Sequence, residues 1–378
     1  MTTLLGGRLA AIHVVDVRNG GPIRHAAESR VRARALRDEC IRWLPRVAAG
    51  LLPAIDFVTR RWLLQSRSSY AEEVKAIAGE LDFSGIWFLN GCYQWGCTAL
   101  SREQDGVSWL ARTLDWPFPG LGRHVEIARM QGSAGEFYNV TWPGYVGVLT
   151  ASAPGRFAAC INQAPMWRRS SHPWLRPYDI ALNARHTWGI THVPPDHLLR
   201  DVFETCATFA EAKRRLETTA VARPVIYTLA GCHPGERCVI ERTQDDFSSR
   251  TYDTCAANDW LCSLPRWEPR VAAEAFFTRT GKEAAENSRT RRNQLAVWPG
   301  VFGTEFDWVT PPVLNSQTRV AVEMCPASGV LRVTGFEQPE ASQLPEPVTF
   351  SEVPAQALPV EITEQTKRMF IASRPLVH

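Results

Sequence analysis

Long apolar runs are missing from the 378-residue chain: none approaches the roughly 18 consecutive apolar residues of a membrane span, so no integral membrane segment is expected. Charge of one sign is scarce as well. Lys and Arg number 42 against 39 Asp and Glu, a formal net charge of +3, which gives no footing for a nucleic-acid partner or a polybasic membrane contact. Cys-x-x-Cys pairs are absent, and the gaps Cys92 to Cys97 and Cys232 to Cys238 fit no zinc spacing, so no metal is expected. The start, Met1-Thr2-Thr3-Leu4-Leu5-Gly6-Gly7-Arg8, lacks a basic region ahead of an apolar run. With no readable signal peptide, a cytoplasmic location is the expectation. The ten cysteines then read as reduced thiols, mostly small core residues. Neither an internal repeat nor a low-complexity tract is visible.

What is present describes a globular protein long enough to bury a sizeable core: 45% hydrophobic and 21% charged residues. Residues 26–80 carry Ala27, Val31, Ala35, Leu36 and Ile41 at three- and four-residue steps, the period of a helix, with Ser69 placed to cap a segment over 72–81. The front part, 1–96, therefore reads as all-helical. Its basic run Arg30, Arg32, Arg34 and Arg37 is interleaved with Glu28, Asp38 and Glu39, as on a solvated helix face.

From residue 97 the pattern becomes strand-like. Asp105-Gly106 between two extended runs is a strong hairpin signal. Further strands are expected at 124–130, 137–141, 145–150 and 156–161, then pairs at 225–230 with 238–243 and 318–325 with 330–336. Helices are expected over 195–217, containing the capping-box pattern Thr208-Phe209-Ala210-Glu211, and over 269–286. The Pro-rich stretch 338–359 reads as the start of an extended, poorly regular tail over 338–378.

The hairpin permits a geometric step. A two-residue loop pairs Gln104 with Val107 and, counting back, Cys97 with Leu114. Residues two apart share a face, so Arg112 lies on the side of Cys97 at the diagonal cross-strand distance, within reach of the thiol. A guanidinium there stabilises the thiolate and lowers the thiol's pKa. Asp115 has the other parity, but it stands at the strand end before Trp116-Pro117, where a side chain can turn back. The competing reading is an inert core cysteine beside an ordinary Arg112–Asp115 ion pair.

The wording of the segment bears on that choice. Gly96-Cys97-Thr98, a strand, a turn, and then Ala111-Arg112-Thr113-Leu114-Asp115-Trp116-Pro117-Phe118 resembles the N-terminal-nucleophile (Ntn) hydrolases of the acid ceramidase, N-acylethanolamine acid amidase, choloylglycine (bile-salt) hydrolase and penicillin acyltransferase group. Pro143-Gly144-Tyr145-Val146-Gly147-Val148-Leu149-Thr150, Gly155-Arg156-Phe157-Ala158-Ala159-Cys160-Ile161-Asn162, Cys238-Val239-Ile240-Glu241-Arg242, Ala257-Asn258-Asp259-Trp260 with Arg270 after it, and Pro312-Val313-Leu314-Asn315 follow in the family's order. The resemblance runs from Cys97 to about Phe336. Departures are Ala111 and Thr113 around Arg112, and Cys232-His233 where ceramidase-like members carry Asn.

The resemblance implies an α+β fold, the four-layer αββα sandwich of two antiparallel sheets, with residues 1–96 a helical pro-part or α-subunit and 97–378 the catalytic region. It implies self-cleavage between Gly96 and Cys97, leaving Cys97 as nucleophile and its freed α-amine, with an ordinary pKa of about 7.7–8.0, as general base. By the same resemblance Arg112 orients the thiolate, Asp115 hydrogen-bonds the amine, Asn258 offers its amide NH2 to the oxyanion, Asn162 is a second candidate there, and Arg270 completes the polar network. Read from residue type alone, Asn258 and Asn162 suit turns and Arg270 suits a helix surface.

The expected reaction is hydrolysis of a small-molecule linear N-acyl amide, without a cofactor. An apolar acyl group fits the fourteen tryptophans, Trp95, Trp116, Trp142 and Trp167 among them, although tryptophans also fill cores. Two alternatives stay open: an acyltransferase that passes the Cys97 acyl group to an amine, and a non-catalytic scaffold with the same fold. A papain-like pairing with His124, His186 or His192 lacks its Cys-Gly-Ser-Cys-Trp signature. Oligomeric state is not legible.

Overall fold

A computed structural model describes residues 9–43, 49–92, 96–165, 167, 172–252, 254–262, 281–340 and 343–353. Strands β1 (Ala10–Ala11) and β2 (His13–Asp16) precede helices α1 (Gly21–Glu28), α2 (Arg30–Trp43), α3 (Leu52–Gln65), α4 (Ala71–Leu81) and α5 (Ile86–Gly91). Then come β3 (Gly96–Gln104), β4 (Val107–Asp115), β5 (Glu126–Gly132), β6 (Gly135–Thr141), β7 (Thr150–Ala153) and β8 (Phe157–Gln163). Helices α6 (Arg176–Trp188), α7 (Pro195–Thr205) and α8 (Phe209–Thr218) lead to β9 (Val225–Gly231), β10 (Arg237–Arg242), β11 (Phe247–Arg250) and β12 (Cys255–Ala256). The described chain closes with α9 (Gly281–Ala296), β13 (Thr318–Cys325), β14 (Val330–Glu337) and β15 (Glu346–Val353).

The strands form two sheets, one of seven in the order β1-β15-β14-β13-β4-β3-β12 and one of eight in the order β11-β10-β9-β8-β7-β6-β5-β2. They stack face to face, β3 and β4 against β8 and β9. Between them lies one apolar core that includes Cys97, Ala99, Leu110 and Leu114 from the first sheet and Phe157, Ala159, Ile161 and Leu229 from the second. Helices α7 and α8 cover the outer side of the second sheet, α9 that of the first. The architecture is α+β, in four layers, αββα.

The Asp105-Gly106 hairpin forms in the expected register, Gln104 opposite Val107 and Cys97 opposite Leu114. Both turn residues have positive φ, 54° and 78°, the combination whose twist matches that of the flanking strands and for which Asp-Gly is suited. The Thr208–Glu211 capping box is also formed.

Several expectations need correction. The sheets are not purely antiparallel: β1 joins β15, and β2 joins β5, in parallel. The front part is therefore not all-helical, because residues 10–16 run along an edge of each sheet before the helices begin. The expected tail contains β15, which pairs with β14 inside the first sheet and buries Thr349 and Val353; residues 354–378 lie outside the described residues. The expected helix over 195–217 is two, broken at Cys206 and restarted by the Thr208 cap. Only Thr150 of the 145–150 run enters a strand. Ser69 does not cap α4; Ser68 Oγ accepts from the backbone N–H of Tyr70, the residue at the cap position. Of the basic run, Arg32 reaches the buried Glu126, and Arg34 and Arg37 stack on Phe83.

Candidate active site

Cys97 is the second residue of β3, at the end of the strand away from the hairpin, and its side chain points between the sheets with no solvent exposure. Strand alternation fixes its company. Arg112 pairs with Ala99 in the ladder, on the same face, and the residue is 1% exposed. Arg112 Nη2 donates to Cys97 Sγ at 2.8 Å and to Ile161 O at 3.0 Å, while Nη1 donates to Thr150 Oγ1 at 2.7 Å. The thiol's proton points to the Ile161 carbonyl, with Sγ 3.5 Å from that oxygen.

The Cys97 backbone N–H donates to Asn258 Oδ1 at 2.9 Å. A second donor, Arg291 Nη2, reaches the same oxygen at 2.9 Å. Because both neighbours are donors, the face of the Asn258 amide turned toward Cys97 must be its oxygen; its NH2 goes to Gln163 O at 2.8 Å. Asn258 was expected to aim that NH2 at an oxyanion, and instead it holds the Cys97 nitrogen. Its own backbone N–H is held by Ser288 Oγ of α9 at 2.8 Å.

Arg291 is the residue that sequence reasoning missed. Fully buried, it donates from Nη1 to Cys97 O at 2.7 Å and Thr98 Oγ1 at 2.6 Å, and it lies 3.6 Å from Asp115 Oδ2. Asp115 does not hydrogen-bond the Cys97 nitrogen. Its carboxylate accepts from Thr318 Oγ1 and Asn315 Nδ2, each at 2.9 Å. Asn315 belongs to the stretch singled out ahead of the last hairpin. Asn162 donates from Nδ2 to Ala256 O and Ala257 O at 3.2 and 3.1 Å, bracing the chain just before Asn258, and its Oδ1 is buried without a hydrogen bond. Arg270 lies outside the described residues.

Two guanidinium groups and one carboxylate thus surround a thiol from which water is excluded. Burial is the largest influence on Cys97 and pushes its pKa up to about 12; Arg112 opposes the rise, Asp115 and Cys160 add to it, and Arg291 opposes it. The sequence-level expectation of a lowered pKa considered the arginine and not the loss of solvent. In the intact chain the thiol is protonated, with Arg112 already in place for the thiolate.

An apolar cavity of about 60 Å³ opens beside the strand end that follows Asp115, between α2, α5 and the segment after β4, with Leu36, Cys92, Trp116 and Phe118 in its wall. Cys92, in the cavity wall, is five residues ahead of Cys97 in the chain. Among the described residues, no helix is long and apolar enough to cross a membrane.

No protein-family model matches the chain. It is 27% identical over 179 residues to the N-acylethanolamine-hydrolyzing acid amidase of Oryctolagus cuniculus, a span covering 45% of this chain and 47% of that protein. Human acid ceramidase is 29% identical over 184 residues, 47% of this chain and 42% of the human protein. The chain is homologous to acid ceramidases and N-acylethanolamine-hydrolyzing acid amidases. It spans about half the length of these two homologues, 47% and 42%. A solved structure, that of the Caenorhabditis elegans N-acylethanolamine-hydrolyzing acid amidase ortholog, superimposes with a TM-score of 0.45 at 18% identity, covering 61% of this chain and 93% of that one.

Proposed function

We propose that this protein is a self-processing cysteine amidohydrolase that cleaves a linear N-acyl amide through an acyl-enzyme on Cys97. The observation that carries this proposal is the pair of holds on one residue. Arg112 Nη2 stands 2.8 Å from the Cys97 sulfur, and Asn258, braced by Arg291, holds the Cys97 nitrogen. A structural cysteine needs neither, while a residue that must supply both a thiolate and a free amine needs both groups fixed.

Processing begins with attack of Cys97 Sγ on the Gly96 carbonyl carbon, and the acyl group passes from nitrogen to sulfur. Water then hydrolyses the thioester, leaving a carboxylate on Gly96 and an α-amine on Cys97. In each turnover that amine takes the thiol proton, the thiolate attacks the substrate carbonyl, and the amine returns the proton to the departing nitrogen. A second water releases the acid. Arg112 stabilises the thiolate throughout. Asn258 Oδ1 and Arg291 orient the amine, and Arg291 lies between Asp115 and the Cys97 carbonyl.

An apolar acyl group is the substrate feature that the cavity beside Trp116 and Phe118 supports. The names of the homologues, an N-acylethanolamine-hydrolyzing acid amidase and an acid ceramidase, agree with an N-acyl amide.

Intact mass spectrometry of the purified protein beside Cys97→Ala tests the proposal. The expected outcome is two pieces, residues 1–96 and 97–378, from the wild type and a single chain from the variant, with amide turnover only in the processed protein. A wild type that stays whole at neutral and acidic pH never frees the α-amine, and the scaffold reading then replaces the hydrolase.

A further inference from the structure

On the outer side of the second sheet, remote from the space between the sheets that holds Cys97, the helical layer of residues 21–91 meets α7 and α8 around a second cavity of about 290 Å³. Its character is polar. The wall includes Arg67, Tyr70, His192, His197, Asp201 and Arg215. Arg67 comes from the turn between α3 and α4, fixed by its backbone N–H on Thr191 O at 2.7 Å, with its side chain exposed. Arg215 comes from α8 and lies 3.0 Å from Asp201. His192 lies 3.7 Å from Asp245. Two guanidinium groups against one wall carboxylate leave a positive surplus.

The buried end of the cavity adds a second observation. His197 has no solvent exposure, and its Nδ1 is 2.6 Å from Ser68 Oγ. Ser68 Oγ also accepts from the backbone N–H of Tyr70, and its contact with His197 occupies Nδ1 in either tautomer, leaving Nε2 as the other ring nitrogen. That Nε2 makes no hydrogen bond; the carboxylate of Asp196 is 3.9 Å away. The first turns of α4 and α7 also border the cavity, through Tyr70 and through His197 and Leu198, and bring the positive ends of two helix dipoles with them. The acidic residues of those turns are engaged: Glu72 with Lys75, Glu73 with Arg200, and Asp196 with the Tyr145 hydroxyl.

We propose that this cavity binds a phosphate monoester. Two guanidinium groups in one cavity, Arg67 and Arg215, suit an anion with several acceptor oxygens pointing in different directions, which a tetrahedral phosphate offers and a planar carboxylate does not. The volume leaves room for an organic substituent. Arg67 precedes Gly96 in the chain, while His192, His197 and Arg215 follow Cys97, so a bound phosphate ties together the two parts that processing would separate.

The test uses the full chain in the Cys97→Ala background, which stays in one piece whether or not the hydrolase proposal holds, and it reads binding only. Glycerol 3-phosphate and inorganic phosphate are titrated calorimetrically at fixed ionic strength against chloride, in that protein and with Arg67→Ala or Arg215→Ala added. Both variants change exposed side chains. Saturable one-to-one binding, weakened at least tenfold by either substitution, is expected. Flotation with vesicles containing phosphatidic acid distinguishes the source: vesicle binding lost in Arg67→Ala, without binding of the soluble phosphates, assigns the site to a lipid phosphate. Absence of both soluble and vesicle binding, or affinities unchanged in both variants, overturns the proposal. Acetate binding as tightly as phosphate overturns the choice of phosphate.

Discussion

Around Cys97 the sandwich buries Arg112, Arg291 and Asp115 completely and surrounds each with fixed partners, whereas the helical layer that follows β2 rests three of its arginines on rings nearer the surface. Arg34 and Arg37 lie over Phe83, and Arg60 over Trp87. A guanidinium over a ring tolerates sliding, since the attraction varies slowly with position. One that satisfies Cys97 O, Thr98 Oγ1 and Asn258 Oδ1 together does not. The first region is suited to holding atoms in place, the second to enclosing an apolar volume that can adapt to what fills it.

The most damaging way to break this contrast is Arg291→Met. It leaves Asp115 buried without its nearest cation and Asn258 Oδ1 without its second donor. Removing one partner of a buried charged group costs about 3–5 kcal/mol. Chemical denaturation is expected to show a loss of that size, together with loss of processing by mass spectrometry. The matching truncation in the helical layer, Arg34→Met, is expected to change stability by less than about 1 kcal/mol.

Arg112→Met comes next and acts on chemistry more than on folding. Removing a cation next to the thiolate raises the thiol's pKa by about 1–3 units. In the processed enzyme, amide turnover at neutral pH should fall on the order of 10²-fold. The rising limb of the pH–rate profile moves to higher pH; a profile that drops without moving would remove Arg112 from thiolate stabilisation.

Leu36→Phe sharpens the other side of the comparison. It narrows the cavity between α2 and the strand end without touching the Cys97 network. A long-chain N-acyl amide should show KM raised about tenfold with kcat held, as expected when roughly 1–3 kcal/mol of apolar pocket contact is lost, while a short-chain amide is unaffected.

The smallest effect is on pH stability. Cys97 and Cys160, both fully buried, are pushed up to about 12 and about 11 by burial, against an unfolded value near 8.5. A raised folded pKa means the folded chain holds its protons more tightly. The contribution is fully present below about pH 8.5 and is lost as pH climbs toward 11–12. The melting temperature of the intact chain should therefore decline above about pH 9, less steeply in Cys97→Ala or Cys160→Ala.

The difference between the two regions also explains which features were legible in the chain. The site's first pair was legible because it is local: Asp105-Gly106 dictates a two-residue turn, the turn dictates register, and register puts Arg112 on the face of Cys97. Arg291 was not legible. It is one of three arginines in Arg289-Thr290-Arg291-Arg292, and nothing in that run tells which of them reaches Cys97. Docking of α9 on β3 and β12 makes that choice. The orientation of the Asn258 amide was hidden for the same reason, since two donors from distant segments decide it. The edge strands β1 and β2 were missed because two- and four-residue segments carry too little period to be seen.

By itself, then, the sequence determined the hairpin, its register, the Cys97–Arg112 face, the Thr208 cap and the change from helix to strand near residue 97, all of which depend on residues within about twenty positions of one another. Tertiary structure alone decided the protonation of Cys97, the partners of Asp115, the choice of Arg291 and the cavity shared by Arg67 and Arg215. Each of those depends on solvent exclusion or on contacts across a hundred residues or more, and neither burial nor long-range proximity is written in local pattern.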